Sequence, residues 1–221
     1  MKYVTRTIKV LFVVLFAGVL HYSLPQHDIV RVVNTYQERQ DLNDWTRIFW
    51  ATPDDQSATL INRDVQFIQT VRKKTWLLGF VQRDSEGVMV YRNEDTGWSW
   101  PFYFKFDTAS LQTEADDLRS TPEAPKWAVI THYGWRNEFL STFPNAIAIR
   151  AVSDPAATII PWFNIFFFIF LAVAALTIRG MWRQFRERSI DPMINKADAA
   201  IDNAEDRARG FWGRLFGAPR K

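Results

Sequence analysis

The chain has 221 residues, a net charge of +3 and no cysteine, and 48% of its residues are hydrophobic. The absence of cysteine excludes disulfides, thiolate zinc sites, iron–sulfur clusters and c-type haem attachment built from this chain alone. Two long apolar runs stand out, so we expect a membrane protein in which two transmembrane helices flank one domain.

The first apolar run predicts transmembrane helix 1 over residues 8–24, after a short cytoplasmic N-terminus over residues 1–7. A signal peptide of similar length would give the same hydrophobic pattern. However, His21, Tyr22 and Ser23 stand where a signal peptidase needs a small-x-small sequence. We therefore favour an uncleaved anchor.

Residues 25–155 are predicted to form a β-rich domain, mainly antiparallel, with one short helix. Glycine-containing turns are expected at residues 83–87 and 93–97. The helix-forming segment 111–118 follows Ser110, which we expect to be its N-cap. The predicted strands cover residues 29–36, 65–71, 76–82, 88–92, 98–106, 127–133 and 146–152.

The predicted strand over residues 98–106 carries an aromatic residue at every second position. These residues are Trp98, Trp100, Phe102, Phe104 and Phe106. A period of two is typical of a strand with one apolar face, and we expect this face to be buried in the core. Pro101 cannot donate to a β-ladder, so the strand is expected at a sheet edge or at a bulge. An edge carrying Trp98, Trp100 and Tyr103 would alternatively offer a docking site to a partner protein.

The second apolar run predicts transmembrane helix 2 over residues 156–178, which as a helix would be about 34 Å long. Asn164 lies inside this run. A polar side chain in hydrocarbon needs a hydrogen-bond partner, so we expect Asn164 to bond to the first span or to a helix of another protein.

Charge is distributed unevenly along the chain. Residues 1–9 hold three basic and no acidic side chains, residues 179–221 hold ten basic and six acidic ones, and the part between is net acidic. By the positive-inside rule, both termini lie in the cytoplasm and the central domain lies in the periplasm of a bacterial inner membrane. Arg179, Arg183 and Arg186 follow the second span and are expected to contact anionic lipid.

The cytoplasmic tail, residues 179–221, is predicted to contain an amphipathic helix over residues 193–209, with Asp191 as N-cap. Its narrow apolar stripe includes Ile194 and Ile201 and is expected to pack on a partner or on a second copy. The end of the tail is predicted to return to the membrane surface through aromatic, aliphatic and basic side chains. These are Phe211, Trp212, Arg214, Leu215 and Phe216.

Residues with catalytic or metal-binding chemistry are sparse. Glu94 and Asp95 are interpreted as turn residues, because the repeated ligand spacing of a calcium loop is missing. His21 is interpreted as a hydrogen-bonded residue rather than a haem ligand, and His132 lies in no motif. The sequence contains no nucleophile elbow, HExxH motif, phosphate loop or dinucleotide fingerprint. We therefore expect no catalytic residue, no metal site and no cofactor. Because the basic excess lies only at the two ends of the chain, we also expect no nucleic-acid partner.

Two strings, YRNEDTGWSWPFYFKFD at residues 91–107 and YGWRNEFLSTFPNAIAI at residues 133–149, resemble a family of bacterial inner-membrane proteins of unknown function. The likeness covers most of residues 1 to about 190. It implies a two-pass protein with a periplasmic central domain, and it supplies no catalytic residues.

These features favour a non-enzymatic accessory or scaffolding subunit, or an assembly factor, of a larger inner-membrane complex. It would bind other membrane proteins through its domain, its spans and its tail. An envelope sensor or transport component is an alternative that needs a roomy ligand pocket. A membrane-tethered periplasmic hydrolase is another, which needs His132 or the pair Glu94 and Asp95 in a cleft beside a second polar group.

Overall fold

A computed structural model describes residues 2–41, 49–50, 62–76, 81–215 and 217. Two helices long and apolar enough to cross a membrane flank a small closed barrel. The chain divides into two compact units, Met1–Asn164 and Ile165–Lys221. The helices and strands are α1 (Lys2–Ser23), β1 (Gln26–Asp41), β2 (Asn62–Trp76), β3 (Val81–Asn93), α2 (Thr108–Asp117), β4 (Trp127–Tyr133), β5 (Asn145–Val152), α3 (Trp162–Phe185), a π-helical turn (Arg186–Ile190) and α4 (Asp191–Leu215).

The five strands close into a barrel in the order β1-β2-β3-β5-β4, and β4 pairs with β1. The pairs are antiparallel except for β3 and β5, which meet in parallel at Arg92 and Asn145. The long strand β1 closes the barrel, because residues 26–30 pair with β4 and residues 30–41 pair with β2. A five-stranded Greek-key barrel with this order and a helix after the third strand has the connectivity of an OB-fold.

The barrel core is built from residues two apart on the same strand, which point to the same face. Val30 and Val32 of β1 pack with Ala128 and Ile130 of β4 in one buried cluster. Helix α2 adds two buried residues to this cluster, Leu111 and Ala115. The expected β-rich, mainly antiparallel domain with one helix is therefore confirmed, and its sheet closes as a barrel.

The turn predicted at residues 83–87 is wrong. These residues belong to β3, where Glu86 and Gly87 pair with Lys73 and Arg72 of β2. A strand that faces water on one side tolerates exposed polar residues, and such residues give the same sequence signal as a turn.

The strand predicted over residues 98–106 is also wrong, because this segment has no regular secondary structure. Phe104 has φ 52°, a left-handed backbone conformation that lies outside the β region. The aromatic face is not buried, so the expectations of a core face and of an edge strand at Pro101 both fail. The exposed fractions are 70% for Trp98, 51% for Trp100, 62% for Phe102, 51% for Phe104 and 53% for Phe106.

Helix α2 confirms the helix predicted after the aromatic segment, with a different cap. The carboxylate of Asp107 accepts a hydrogen bond from the backbone N–H of Ser110 at 2.9 Å. Asp107 is therefore the N-cap, and Ser110, which was expected to be the cap, lies in the first helical turn.

The second apolar helix, α3, begins at Trp162 instead of at residue 156. Pro161 lacks a backbone N–H and disfavours helical backbone at the residue before it, so the helix begins directly after this proline. The N-terminal part of the predicted span is therefore not helical.

The tail does not start a separate helix at residue 193. Asp191, the expected N-cap, has helical φ −60° and ψ −40°, and its N–H donates to the carbonyl of Arg186 across the π-helical turn. This turn ends two residues before Pro192, whose missing N–H breaks the α-helical ladder, and such irregularities are common near prolines. Helix α4 also continues past Gly210 to Leu215.

Candidate functional site

The aromatic segment forms a compact loop, here called the aromatic loop and defined as residues 97–106. Its base is closed by backbone hydrogen bonds, because the N–H groups of Thr96 and Gly97 donate to the carbonyl of Lys105 at 3.0 and 3.1 Å. The N–H of Lys105 in turn donates to Oγ1 of Thr96 at 3.1 Å. Joined ends of this kind are typical of Ω-loops, which are frequently functional.

Four rings of the aromatic loop form one exposed cluster. The ring centroid of Trp98 lies 5.3 Å from that of Phe104 and 5.8 Å from that of Phe106. The rings of Phe102 and Phe104 lie 6.4 Å apart. Contiguous exposed apolar surface of this kind is typical of sites that contact another protein or a membrane.

The other residues of the aromatic loop fasten it to the end of α1. The hydroxyl of Tyr103 donates to the carbonyl of Ser23, and burial raises the pKa of Tyr103, which keeps this hydroxyl protonated. The ring of Trp100 stacks on Tyr22 with centroids 5.6 Å apart. The ring of Tyr103 also stacks on Tyr133 at 5.1 Å.

Lys105 is the one charged residue of the aromatic loop, and it is buried. Its Nζ donates to Oδ1 of Asn93 and to the carbonyl of Ala146, the latter at 2.8 Å. Burial lowers the pKa of Lys105 to about 7, although the charges of Asp95 and Glu94 act in the opposite direction. The aromatic loop therefore presents rings and no exposed charge.

The loop between β4 and β5 also contacts α1. Nε1 of Trp135 donates to Nδ1 of His21 at 2.8 Å, so His21 is hydrogen-bonded within the chain as expected. The Trp135 ring lies beside Gly18, where a Cβ would come within 3.8 Å of it. The N–H of Gly134 donates to the carbonyl of Tyr22 at 2.9 Å.

Asn164, in the first turn of α3, also bonds near the end of α1. Its Nδ2 donates to the carbonyl of Pro25 at 2.9 Å. Its Oδ1 is buried and has no hydrogen-bond partner among the residues that the structure describes. The predicted binding of a partner's helix by Asn164 stays a prediction.

A separate polar cluster surrounds Asp28 inside the barrel. Oδ2 of Asp28 accepts hydrogen bonds from the hydroxyl of Tyr91 at 2.5 Å and from Arg72 at 3.0 Å, and lies 3.2 Å from Nε2 of His132. Burial raises the pKa of Asp28, but the hydrogen bond with His132 and the charge of Arg72 outweigh burial and hold this pKa well below its usual range.

Acid, base and hydroxyl groups thus meet at the Asp28 cluster, but they are closed off from solvent. Asp28, Tyr91 and His132 are 5%, 0% and 4% exposed. A general base must lie within hydrogen-bond reach of the substrate proton. These side chains are buried, so a substrate in solvent does not contact them. The geometry is that of a hydrogen-bonded internal network. No sequence motif links these residues, so only their contacts in the fold disclose the cluster.

Glu94 forms a buried ion pair with Arg92 at 3.2 Å, and Arg92 lies over the ring of Trp50 at 5.0 Å. Asn145 accepts a bond from the N–H of Glu94 at 2.9 Å and donates to its carbonyl at 3.0 Å. Asp95 is exposed, so the two neighbouring carboxylates do not converge. No group of three or more metal-ligating side chains occurs in the described ranges.

A small recess lies between the barrel and the end of α1. It is lined by Tyr22, Phe49, Trp50, Thr96, Ser99, Trp100, Pro101 and Tyr133. Its volume of about 10 Å³ leaves room for about one water molecule. The recess is therefore too small for the ligand that a sensor would bind.

The predicted contact residues of the tail lie on an exposed helical surface. Ile194 and Ile201 are 52% and 59% exposed. Phe211 and Trp212 are exposed as well, with ring centroids 6.1 Å apart. Partner contact by this surface stays a prediction.

The basic residues expected beside the membrane are exposed too. Arg183 pairs with Glu187 at 3.4 Å and Arg186 with Asp191 at 3.6 Å. Contact of these residues and of Arg179 with lipid stays a prediction. The side chains of Arg214 and Leu215, and all of Phe216, lie outside the described part of the chain.

The fold and the site define a protein with a closed barrel between two helices that are long and apolar enough to cross a membrane. The chain belongs to a family described as "Protein of unknown function (DUF1523)", which matches residues 1–186. An uncharacterized protein of Haemophilus influenzae is 34% identical over 178 residues, covering 76% of this chain and 90% of that protein. No solved structure matches the chain. The resemblance to a bacterial family of unknown function is therefore confirmed.

Proposed function

We propose that the protein spans the bacterial inner membrane twice, with both termini in the cytoplasm and the barrel in the periplasm. The apolar stretches of α1 and α3 have no buried side chains, so lipid would cover surface that the chain itself leaves exposed. The basic residues at the start of α1 and around the end of α3 then lie on the cytoplasmic side, where Arg179, Arg183 and Arg186 meet anionic headgroups.

Within this topology the protein is a non-enzymatic accessory or scaffolding subunit, or an assembly factor, of a larger inner-membrane complex. The observation that carries this proposal is α4, a 25-residue helix whose described side chains at residues 192–209 are all exposed. A helix gains most of its stability from packing an apolar face, so the stripe containing Ile194 and Ile201 calls for a partner membrane protein.

The alternatives draw less support. A sensor needs a ligand pocket, and the recess beside α1 holds about one water molecule. A hydrolase needs accessible acid and base groups, whereas His132 and Asp28 are buried in an internal network. The barrel therefore serves better as a rigid body for binding than as a reaction site.

Purification of the tagged full chain from gently solubilised native membranes tests the proposal, with mass spectrometry of the proteins retained at constant stoichiometry. Ile194→Asp combined with Ile201→Asp places two charges in the apolar stripe. Asn195→Asp combined with Ala199→Asp adds the same charge on the opposite side of the helix. We expect the wild type and the second variant to retain a stoichiometric partner that the first variant loses. A wild-type protein that purifies alone would contradict the proposal.

A further inference from the structure

We propose that the aromatic loop inserts its exposed rings into the periplasmic leaflet of the membrane that α1 crosses. The inserted rings are those of Trp98, Phe102, Phe104 and Phe106. This inference rests on the proposed two-pass topology and adds to it a third membrane contact, made by the barrel domain itself.

The first argument is the level of the aromatic loop along α1. Tyr103 bonds to the carbonyl of Ser23, the last residue of α1, so the loop lies beside the helix end. Strand β1 begins at Gln26, and the short connection leaves no linker that would lift the barrel away from the bilayer. Asn164 bonds to the carbonyl of Pro25, so the first turn of α3 lies at the same level.

The second argument is the position of Trp135, which contacts α1 more than one turn before the end of this helix. Its ring lies beside Gly18, five residues before Ser23 and therefore roughly 7 Å deeper along the helix axis. Its indole N–H donates to His21, a helix residue nearer the end. A tryptophan with an apolar body and a satisfied N–H is typical of the membrane interface. One side chain of the barrel domain therefore already lies at the depth of the last turns of α1.

The third argument is the chemistry of the aromatic loop. Its rings form one contiguous cluster, and its single charge, on Lys105, is buried against Asn93 and Ala146. Tryptophan and phenylalanine are the side chains that fasten interfacial segments to a bilayer. A partner protein would also cover apolar rings, but the position beside the end of α1, a candidate span, favours lipid.

The fourth argument is backbone strain. Phe104 is held at φ 52°, a conformation that residues with side chains rarely adopt, while its ring is half exposed. The hydrogen bonds between Thr96 and Lys105 at the loop base hold the segment that contains it. Strain that presents a ring outward, without packing it in the core, indicates a role outside the fold.

The chain has no cysteine, so one introduced cysteine provides a unique labelling site. The test uses the full chain with Phe102→Cys, labelled with an environment-sensitive fluorophore and reconstituted at low density into phosphatidylcholine–phosphatidylglycerol vesicles. The control is Glu123→Cys, at an exposed position just before β4. Strand β4 ends at Tyr133, which contacts Tyr22 of α1, so Glu123 lies near the other end of this strand, the end away from α1.

We expect the Phe102 label to show blue-shifted emission, to lose most of its intensity to acyl-chain spin labels and to resist aqueous iodide. The Glu123 label should show no blue shift, keep its intensity in the presence of acyl-chain spin labels and be quenched by iodide. High salt should leave this difference unchanged, because the aromatic loop carries no exposed charge.

The proposal is overturned if iodide quenches the Phe102 label as strongly as it quenches the Glu123 label. It is also overturned if the Phe102 label is protected from iodide in native membranes but not in the vesicles. The latter result would assign the rings to a partner protein. Phe106→Cys provides a second label position if the Phe102 variant does not fold. The proposed topology is tested separately by labelling Glu123→Cys with an impermeant maleimide added from the periplasmic side. The maleimide reacts with this cysteine only if the barrel lies in the periplasm.

Discussion

The hydroxyl of Tyr103 donates a hydrogen bond to the backbone carbonyl of Ser23, the last residue of α1, from 80 positions further along the chain. The last carbonyls of a helix have no partner inside the helix. This bond satisfies one of them and ties the aromatic loop to the end of the first apolar helix.

Replacing Tyr103 with phenylalanine removes this bond and keeps the ring stacked on Tyr133. We expect the free energy of unfolding to fall by about 1 kcal/mol, the usual net value of one such hydrogen bond. Near-ultraviolet circular dichroism of the full chain in detergent during heating measures the change. Tyr3→Phe, at an 82% exposed position, is the control. Equal melting temperatures for the two variants would mean that the Tyr103 bond adds nothing to stability.

Asp28→Asn should destabilise the barrel far more than the removal of a surface charge. The substitution leaves Arg72 without its carboxylate partner and weakens the acceptor that Tyr91 uses. We expect a loss of about 2 kcal/mol, since Arg72 keeps partial access to water.

The matched control for this change is Glu86→Gln, which removes the carboxylate of the partly exposed ion pair with Arg31. Such pairs contribute less than about 1 kcal/mol. Denaturant unfolding in mixed micelles compares the two variants. A larger loss for Glu86→Gln would show that the Asp28 network is not an important contributor to stability.

Lys105 should make the stability of the barrel depend on pH. Burial lowers its pKa to about 7 in the folded chain, against an ordinary value of 10.5. Between these two values the unfolded chain binds more protons than the folded one, so stability rises as pH rises from about 7 toward 10. Below pH 7 both states are protonated and this contribution no longer changes.

The comparison for this prediction is Lys105→Met, which keeps an apolar stem of similar length. The free energy of unfolding of the wild type should rise relative to that of the variant by up to about 1.4 kcal/mol per pH unit in this window. Unfolding curves at several pH values measure the difference. Parallel pH profiles for the two proteins would show that the amine is not titrating in the folded state.

Gly134→Ala should weaken the contact between the barrel and α1. Gly134 has φ +92°, and an added Cβ would lie 3.5 Å from Cα of Pro144 and 3.6 Å from the ring of Tyr22. A residue with a side chain in this conformation is strained, so we expect a loss of about 2 kcal/mol. Gly180→Ala, in a helix with open space around it, should be neutral or stabilising. Thermal unfolding of the two variants distinguishes strain from a general effect of alanine.

Several elements could be predicted because their signal is local. Strand β4 was predicted at the residues where it occurs, because a short apolar run with β-branched residues favours a buried strand. Helix α2 was predicted from helix-forming residues, although the sequence suggested Ser110 in place of Asp107 as its cap. The start of α3 and the π-helical turn were not predicted, because a proline has two different effects on helices. Pro161 delays the start of α3, whereas the helix continues past Pro192 through the π-helical turn. One proline precedes a helix and the other lies within one.

The candidate site could be predicted only in part. The aromatic composition of residues 98–106 was evident, but period two describes both a buried strand face and a loop that displays alternate rings. Burial of Lys105 and the left-handed backbone of Phe104 reverse the expected orientation, and neither has a sequence signal. The Asp28 cluster joins residues from four strands, so no local pattern contains it.

Composition and periodicity predict the two apolar helices and the β-rich middle, because these signals act within a few neighbouring residues. The outward orientation of the aromatic rings and the contact between Asp28 and His132 follow only from the folded barrel. The position of the aromatic loop against the end of α1 is likewise a result of tertiary contacts. Each of these depends on contacts between residues far apart in the chain, whose geometry is set when the barrel closes.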